Sequence, residues 1–140
     1  MKMRLHHIGV VAKDLAGAAE LYRLRFGYEP SGGVVHDPEQ TAYVQFLRLP
    51  GDEVLMELVA PDGAGSKLAG AASSREGLHH LCYGTDDIEA ACDDLRSKGM
   101  TLVSRPVAAV AFGGRRIAWL MGKDRMLVEL LEERQQPVGL

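Results

Sequence analysis

The chain has 140 residues, of which 46% are hydrophobic and 25% charged, and its net charge is −3 at pH 7. That is the length and composition of one soluble globular domain. No basic run offers a footprint for nucleic acid, and charged or polar residues interrupt every apolar stretch before it could span a membrane. The N-terminal "MKMRLHHIGVVAKD" has no unbroken signal core, because two histidines and Lys13-Asp14 divide it. The expectation is a mature cytoplasmic protein.

Residues 5–12 are an apolar run of strand length. Asp14 then reads as the N-cap of a helix whose buried stripe is Leu15, Ala18, Ala19, Tyr22 and Phe26, with Gly27 as its C-cap. Extended stretches follow near 31–35, 41–49 and 53–60; "TAYVQFLRL" alternates, and "LPGDE" reads as a hairpin turn. Residues 61–77, rich in Gly, Ala and Ser, form a linker with one short helix near 66–72. A strand at 78–85 opens the second half. Asp87 caps a helix carrying Ile88, Ala91, Cys92 and Leu95, Gly99 ends it, and strands follow near 101–104, 115–121 and 126–132. The tail "RQQPVGL" is predicted to fray. Cys82 and Cys92 lack C-x-x-C spacing and read as reduced, partly buried thiols.

The element order is β-α-β-β-β twice, and the halves also match residue by residue. "LHHIGVVAKDLAGAA" at 5–19 aligns with "LHHLCYGTDDIEAA" from 78, which sets His7 on His80 and Asp14 on Asp87 at an offset of 73. "VLMELVA" at 54–60 resembles "MLVELLE" at 126–132, with Glu57 on Glu129 at an offset of 72. The predicted architecture is an α+β domain of two tandem modules, about 4–60 and 77–133, with a linker at 61–76 and a tail at 134–140.

Side chains alternate across a strand. His7 therefore shares a face with Leu5, Gly9 and Val11, and His80 with Cys82 and Gly84. Glu57 projects with Leu55 and Val59, and Glu129 with Leu127 and Leu131. A carboxylate among aliphatic neighbours in a central strand is costly unless it is paired, protonated or bound to metal. His7, Glu57, His80 and Glu129, at matching points of a repeat, thus predict one divalent cation site. Two imidazoles and two carboxylates suit Co, Zn, Ni, Mn or Fe(II), with positions left for waters or substrate oxygens.

Other polar residues read blandly. His6 and His79 are taken as core or partly exposed. Arg115 and Arg116 follow Gly113-Gly114, where a basic pair can touch a phosphate or carboxylate, though such a pair more often is a solvated strand entry. Lys123 and Arg125 flank a turn, and Asp86, Asp87, Asp93 and Asp94 are cap and helix-surface charges. Trp119 falls in a strand whose boundary does not define its face.

Together, "LHHIGVVAKDL", "PEQ" at 38–40, "ELVAPDG", "GLHHLCYGTDDIEAACDDLRSKG", "FGGRRIAWL" and "LVELLEE" resemble the vicinal oxygen chelate superfamily over residues 5–133. Within it they look most like the methylmalonyl-CoA epimerases. The resemblance implies paired βαβββ modules curled into an open, mixed partial barrel with helices outside. It implies the same four ligands, a homodimer, and a small-molecule thioester substrate. It also implies proton transfer at the carbon beside a carbonyl, with Glu129 and Glu39 of "PEQ" as the two acid–base groups. One departure stands out: "MGKDRM" at 121–126 is shorter than the corresponding epimerase loop and lacks its His-Pro. The alternatives are a glyoxalase I-type isomerase, an extradiol dioxygenase, and, from another class, a non-catalytic protein of the same fold that sequesters a drug or natural product.

Overall fold

Each half of the chain turns its histidine strand and its glutamate strand into parallel neighbours. This is seen in a computed structural model that describes residues 2–74 and 76–133. The described residues contain nine strands in mixed parallel and antiparallel pairings. Two compact units divide the chain: one is His6–His79, and the other joins the first five residues to the segment from His80 onward.

The first unit runs β1 (Met3–Val11), α1 (Leu15–Phe26), β2 (Glu29–Pro30), β3 (Val35–Asp37), β4 (Ala42–Arg48), β5 (Leu55–Pro61) and α2 (Ala69–Ser74). Its strand order is β2-β4-β5-β1, with β3 also on β4. The crossover through α1 and the outer strands makes β1 and β5 parallel, with Gly9 opposite Glu57. β4 and β5 are antiparallel, with Phe46 opposite Glu57. The turn between them contains Gly51 at φ +84°, where Asp52 N–H donates to the Leu49 carbonyl.

The second unit contains β6 (Gly77–Thr85), whose first three residues belong to the first, α3 (Ile88–Ser97), β7 (Thr101–Ala108), β8 (Arg116–Met121) and β9 (Leu127–Glu132). Its order is β6-β9-β8-β7. Again the first and last strands are parallel, with Cys82 opposite Glu129, and Trp119 of β8 lies opposite Glu129 on the antiparallel side. α3 buries Ile88, Ala91 and Cys92 against Ala118, Leu120, Val128 and Leu130. The Asp87 carboxylate caps the helix by accepting from Ala90 N–H at 3.0 Å. Burial pushes the Cys92 thiol up from its ordinary pKa. The first residues of β1 join this unit because Met3 packs on the α3 core and Arg4 pairs with Glu133 at 3.1 Å.

Several expectations need correcting. The stripe predicted for α1 is not a buried one: none of its residues is buried, and Phe26 is 61% exposed. Apolar side chains on α1 are spread around the helix, and Phe26 instead joins Tyr22 and Tyr28 in a local aromatic cluster at ring distances of 5.8 and 6.4 Å. The strand expected at 31–35 divides into β2 and β3, since Gly32 adopts φ +89° between them. The linker helix lies at Ala69–Ser74 rather than 66–72, and the strand at 101–104 continues to Ala108. The tail expected to fray lies outside the described residues. Among the described residues, no helix is long and apolar enough to cross a membrane.

Candidate metal centre

The parallel register explains how each histidine meets its glutamate. His7 lies two residues before Gly9, the residue opposite Glu57, so both side chains occupy one face on adjoining strands. His7 is 0% exposed and Glu57 4%. His7 Nε2 stands 3.4 Å from Glu57 Oε1. The second unit repeats this with His80 two residues before Cys82, the residue opposite Glu129. His80 is 1% exposed and Glu129 3%, and His80 Nε2 again stands 3.4 Å from Glu129 Oε1.

This spacing is longer than a charge-assisted hydrogen bond of about 2.7–2.9 Å. It falls within the separation of two donors around one cation: bonds of about 2.0–2.2 Å, at angles from square to tetrahedral, leave donors roughly 2.8–3.6 Å apart. Within each pair, a carboxylate this deeply buried is costly unless it is paired, protonated or bound to a metal ion. Each unit thus holds a buried imidazole–carboxylate pair, His7 with Glu57 and His80 with Glu129, whose donor atoms suit a metal ion.

Each imidazole is braced. His7 Nδ1 lies 2.8 Å from His6 Nδ1, so the far nitrogen of His7 is engaged while Nε2 faces Glu57. The Phe46 ring stands edge-to-face with His7 at 5.3 Å, and the Trp119 ring with His80 at 4.8 Å. Sequence reasoning missed all three roles. The sequence marks His6 only as a core or partly exposed residue and carries no signal for Phe46. The face of Trp119 needed the β8 boundary, which the structure places at Arg116–Met121.

Glu39 is elsewhere. It is exposed in the turn between β3 and β4, where its carbonyl accepts from Lys67 Nζ at 3.0 Å. That turn lies beyond Ala42, which is four residues, or about 13 Å, along β4 from the residue opposite Glu57. Its neighbour Asp37 is buried and on the Glu57 face, and Asp37 Oδ1 accepts from Gln40 N–H at 3.2 Å. Of the two readings of Arg116, carboxylate contact holds over the solvated strand entry: it forks onto Glu132 at 2.8 Å and reaches Glu89 at 3.0 Å. This pairing holds the Glu132 carboxyl below its ordinary pKa. The shortened loop at 121–126 is a closed hairpin turn. There Gly122 N–H donates to the Met126 carbonyl and Arg125 adopts φ +64°.

The fold is that of a known class. The profile of the Glyoxalase/Bleomycin resistance protein/Dioxygenase superfamily matches residues 6–119, and the chain belongs to that superfamily. Within it, the chain is 34% identical over 131 residues to the ethylmalonyl-CoA/methylmalonyl-CoA epimerase of Cereibacter sphaeroides, covering 91% of this chain and 96% of the relative. A variant of the Streptomyces coelicolor methylmalonyl-CoA epimerase, solved with 2-nitronate-propionyl-CoA, matches with a TM-score of 0.79 and 29% identity over 91% of this chain and 95% of its own. Similarity to a probable lactoylglutathione lyase of Vibrio cholerae is partial, 34% over 61 residues and 44% of each chain.

Proposed function

We propose that this chain is a metal-dependent epimerase of a 2-substituted malonyl thioester such as methylmalonyl-CoA. The observation that carries the reading is the duplicated, buried His–Glu pair at 3.4 Å in a chain similar to epimerases over nearly its whole length. His7, Glu57, His80 and Glu129 hold one divalent cation in this reading; whether it is Co, Zn, Ni, Mn or Fe(II) is a matter for metal analysis. Once bound, the cation would supply Lewis-acid stabilisation of the negative charge that develops on the thioester oxygen. Glu129 sits among Leu127, Leu131 and Trp119, a setting that keeps water from competing for its proton. It is assigned to remove the proton beside the carbonyl.

The opposite face needs a second group, and Glu39 is assigned to it. Its turn lies past the end of β4, so this role requires the turn to bring the Glu39 carboxylate within hydrogen-bond reach of the same carbon that Glu129 faces. The working form of this reading is a cytoplasmic homodimer, which sedimentation velocity tests directly. The partial match to the lyase and the near-complete match to the epimerase favour the thioester over a glutathione adduct.

The test is to incubate the protein with Co²⁺ and methylmalonyl-CoA in D₂O and follow the α-proton signal by NMR. Wild type is expected to exchange it, and E129A to lose exchange by a factor of about 10²–10⁴. Absence of exchange from a protein that binds the cation would overturn the substrate. Under E39Q, exchange should persist from one epimer and fail from the other; equal exchange from both would remove Glu39 from the mechanism.

A further inference from the structure

The structure contains the same three-residue device twice. In the first unit Phe46 lies directly opposite Glu57 on β4, and its ring reaches past that carboxylate to His7 at 5.3 Å and 75°. In the second, Trp119 lies directly opposite Glu129 on β8, and its ring reaches past that carboxylate to His80 at 4.8 Å and 84°. Phe46 and Trp119 are 73 residues apart, as are His7 and His80. Each carboxylate is therefore flanked on one side by an imidazole and on the other by an aromatic ring that also bears on that imidazole.

The arrangement bears on a weak point of histidine as a ligand. Rotation about the bond to the ring is broad and poorly quantised, so packing must define the plane in which the ring nitrogen lies. A flat ring held edge-to-face against the imidazole restricts that rotation through contact area and through the electrostatics of the two π-systems. Opposite residues on antiparallel strands have Cβ atoms about 4.5–5.5 Å apart. An aromatic ring at that position therefore reaches the histidine one strand further on, and the glutamate below it cannot swing toward β4 or β8.

We propose that Phe46 and Trp119 are paired positioning residues, one per module, that hold His7 and His80 with Nε2 toward Glu57 and Glu129 and so preorganise the cation site. This rests on the metal reading above. The residues do not bind the cation; their contribution is the pre-set plane of the two imidazoles.

The test is Co²⁺ binding by calorimetry, together with the visible absorption of the bound ion, for wild type, W119F, W119A, W119L and F46A. W119F keeps a flat ring and should bind within about threefold of wild type with an unchanged spectrum. W119A and F46A should bind roughly 10–100-fold more weakly, the range for loss of a group that orients a ligand, with an altered spectrum. W119L keeps apolar bulk without the flat ring and should resemble W119A, which covers the case in which the alanine variant folds poorly. Wild-type affinity and spectrum in W119L would overturn the proposal while leaving the metal reading intact. A wild-type protein that binds no Co²⁺ would overturn both.

Discussion

His80 and Glu129 illustrate how two adjacent strands can present two donors to a single ion. Their 3.4 Å separation and near-complete burial leave each side chain little freedom, so replacing either should be felt in binding before it is felt in folding. H80A and E129Q are each expected to weaken Co²⁺ binding by at least about 100-fold, read by calorimetry. Wild-type affinity in either variant would remove that residue from the ligand set. At Gly84, on the same face of β6, an added Cβ would overlap the Glu133 carboxylate, which Arg4 holds at 3.1 Å. G84A is therefore expected to turn the flexible, partly exposed Glu133 side chain outward and break its pair with Arg4, lowering stability in urea denaturation by less than about 1 kcal/mol, the range for an exposed ion pair. The four positions proposed as ligands stand out in the sequence because alternation and the repeat both mark them. The aromatic partners were not, because a ring's face depends on strand register.

Two helices with similar sequence signals behave differently. Asp14 and Asp87 occupy the same position in the repeat and both read as caps. Only the Asp87 carboxylate accepts a backbone N–H, while Asp14 makes no side-chain cap bond. D87A should cost about 1 kcal/mol and D14A only a few tenths, measured by chemical denaturation. α3 is tied further to the sheet by Arg116, which joins Glu89 in its first turn to Glu132 on β9. Glu132 has a folded pKa below its ordinary 4.5. Its contribution to stability is thus fully present above that value and disappears as pH falls through the lower folded value. Wild type should exceed E132Q in unfolding free energy at pH 7, and the gap should close below pH 4.5; a pH-independent gap would show that the pair does not titrate with folding.

For the molecule as a whole, a buried ion adds stability only if the folded chain binds it and the unfolded chain does not. Cobalt at one hundred times its dissociation constant should raise the unfolding free energy by about 2.7 kcal/mol over the chelator-treated protein. Equal denaturation midpoints with Co²⁺ and with EDTA would contradict a preformed cation site. The increment should vanish in E129Q, which separates specific binding from a general effect of salt.

Strand periodicity and the internal repeat by themselves determined the element order, the faces of His7, Glu57, His80 and Glu129, and the cap at Asp87. Such patterns are local: a period of two or of about 3.6 states which side of an element a residue occupies. Pairing is not local. The parallel registers that set Gly9 opposite Glu57 and Cys82 opposite Glu129, the reach of Phe46 and Trp119 across a strand, and the fork of Arg116 onto Glu132 join residues far apart in the chain. Only the tertiary structure decided them, because register follows from which faces find a core to bury against. The same cause left α1 with no buried residue: Leu21, Leu24 and Phe26 are apolar but do not form one stripe toward the sheet.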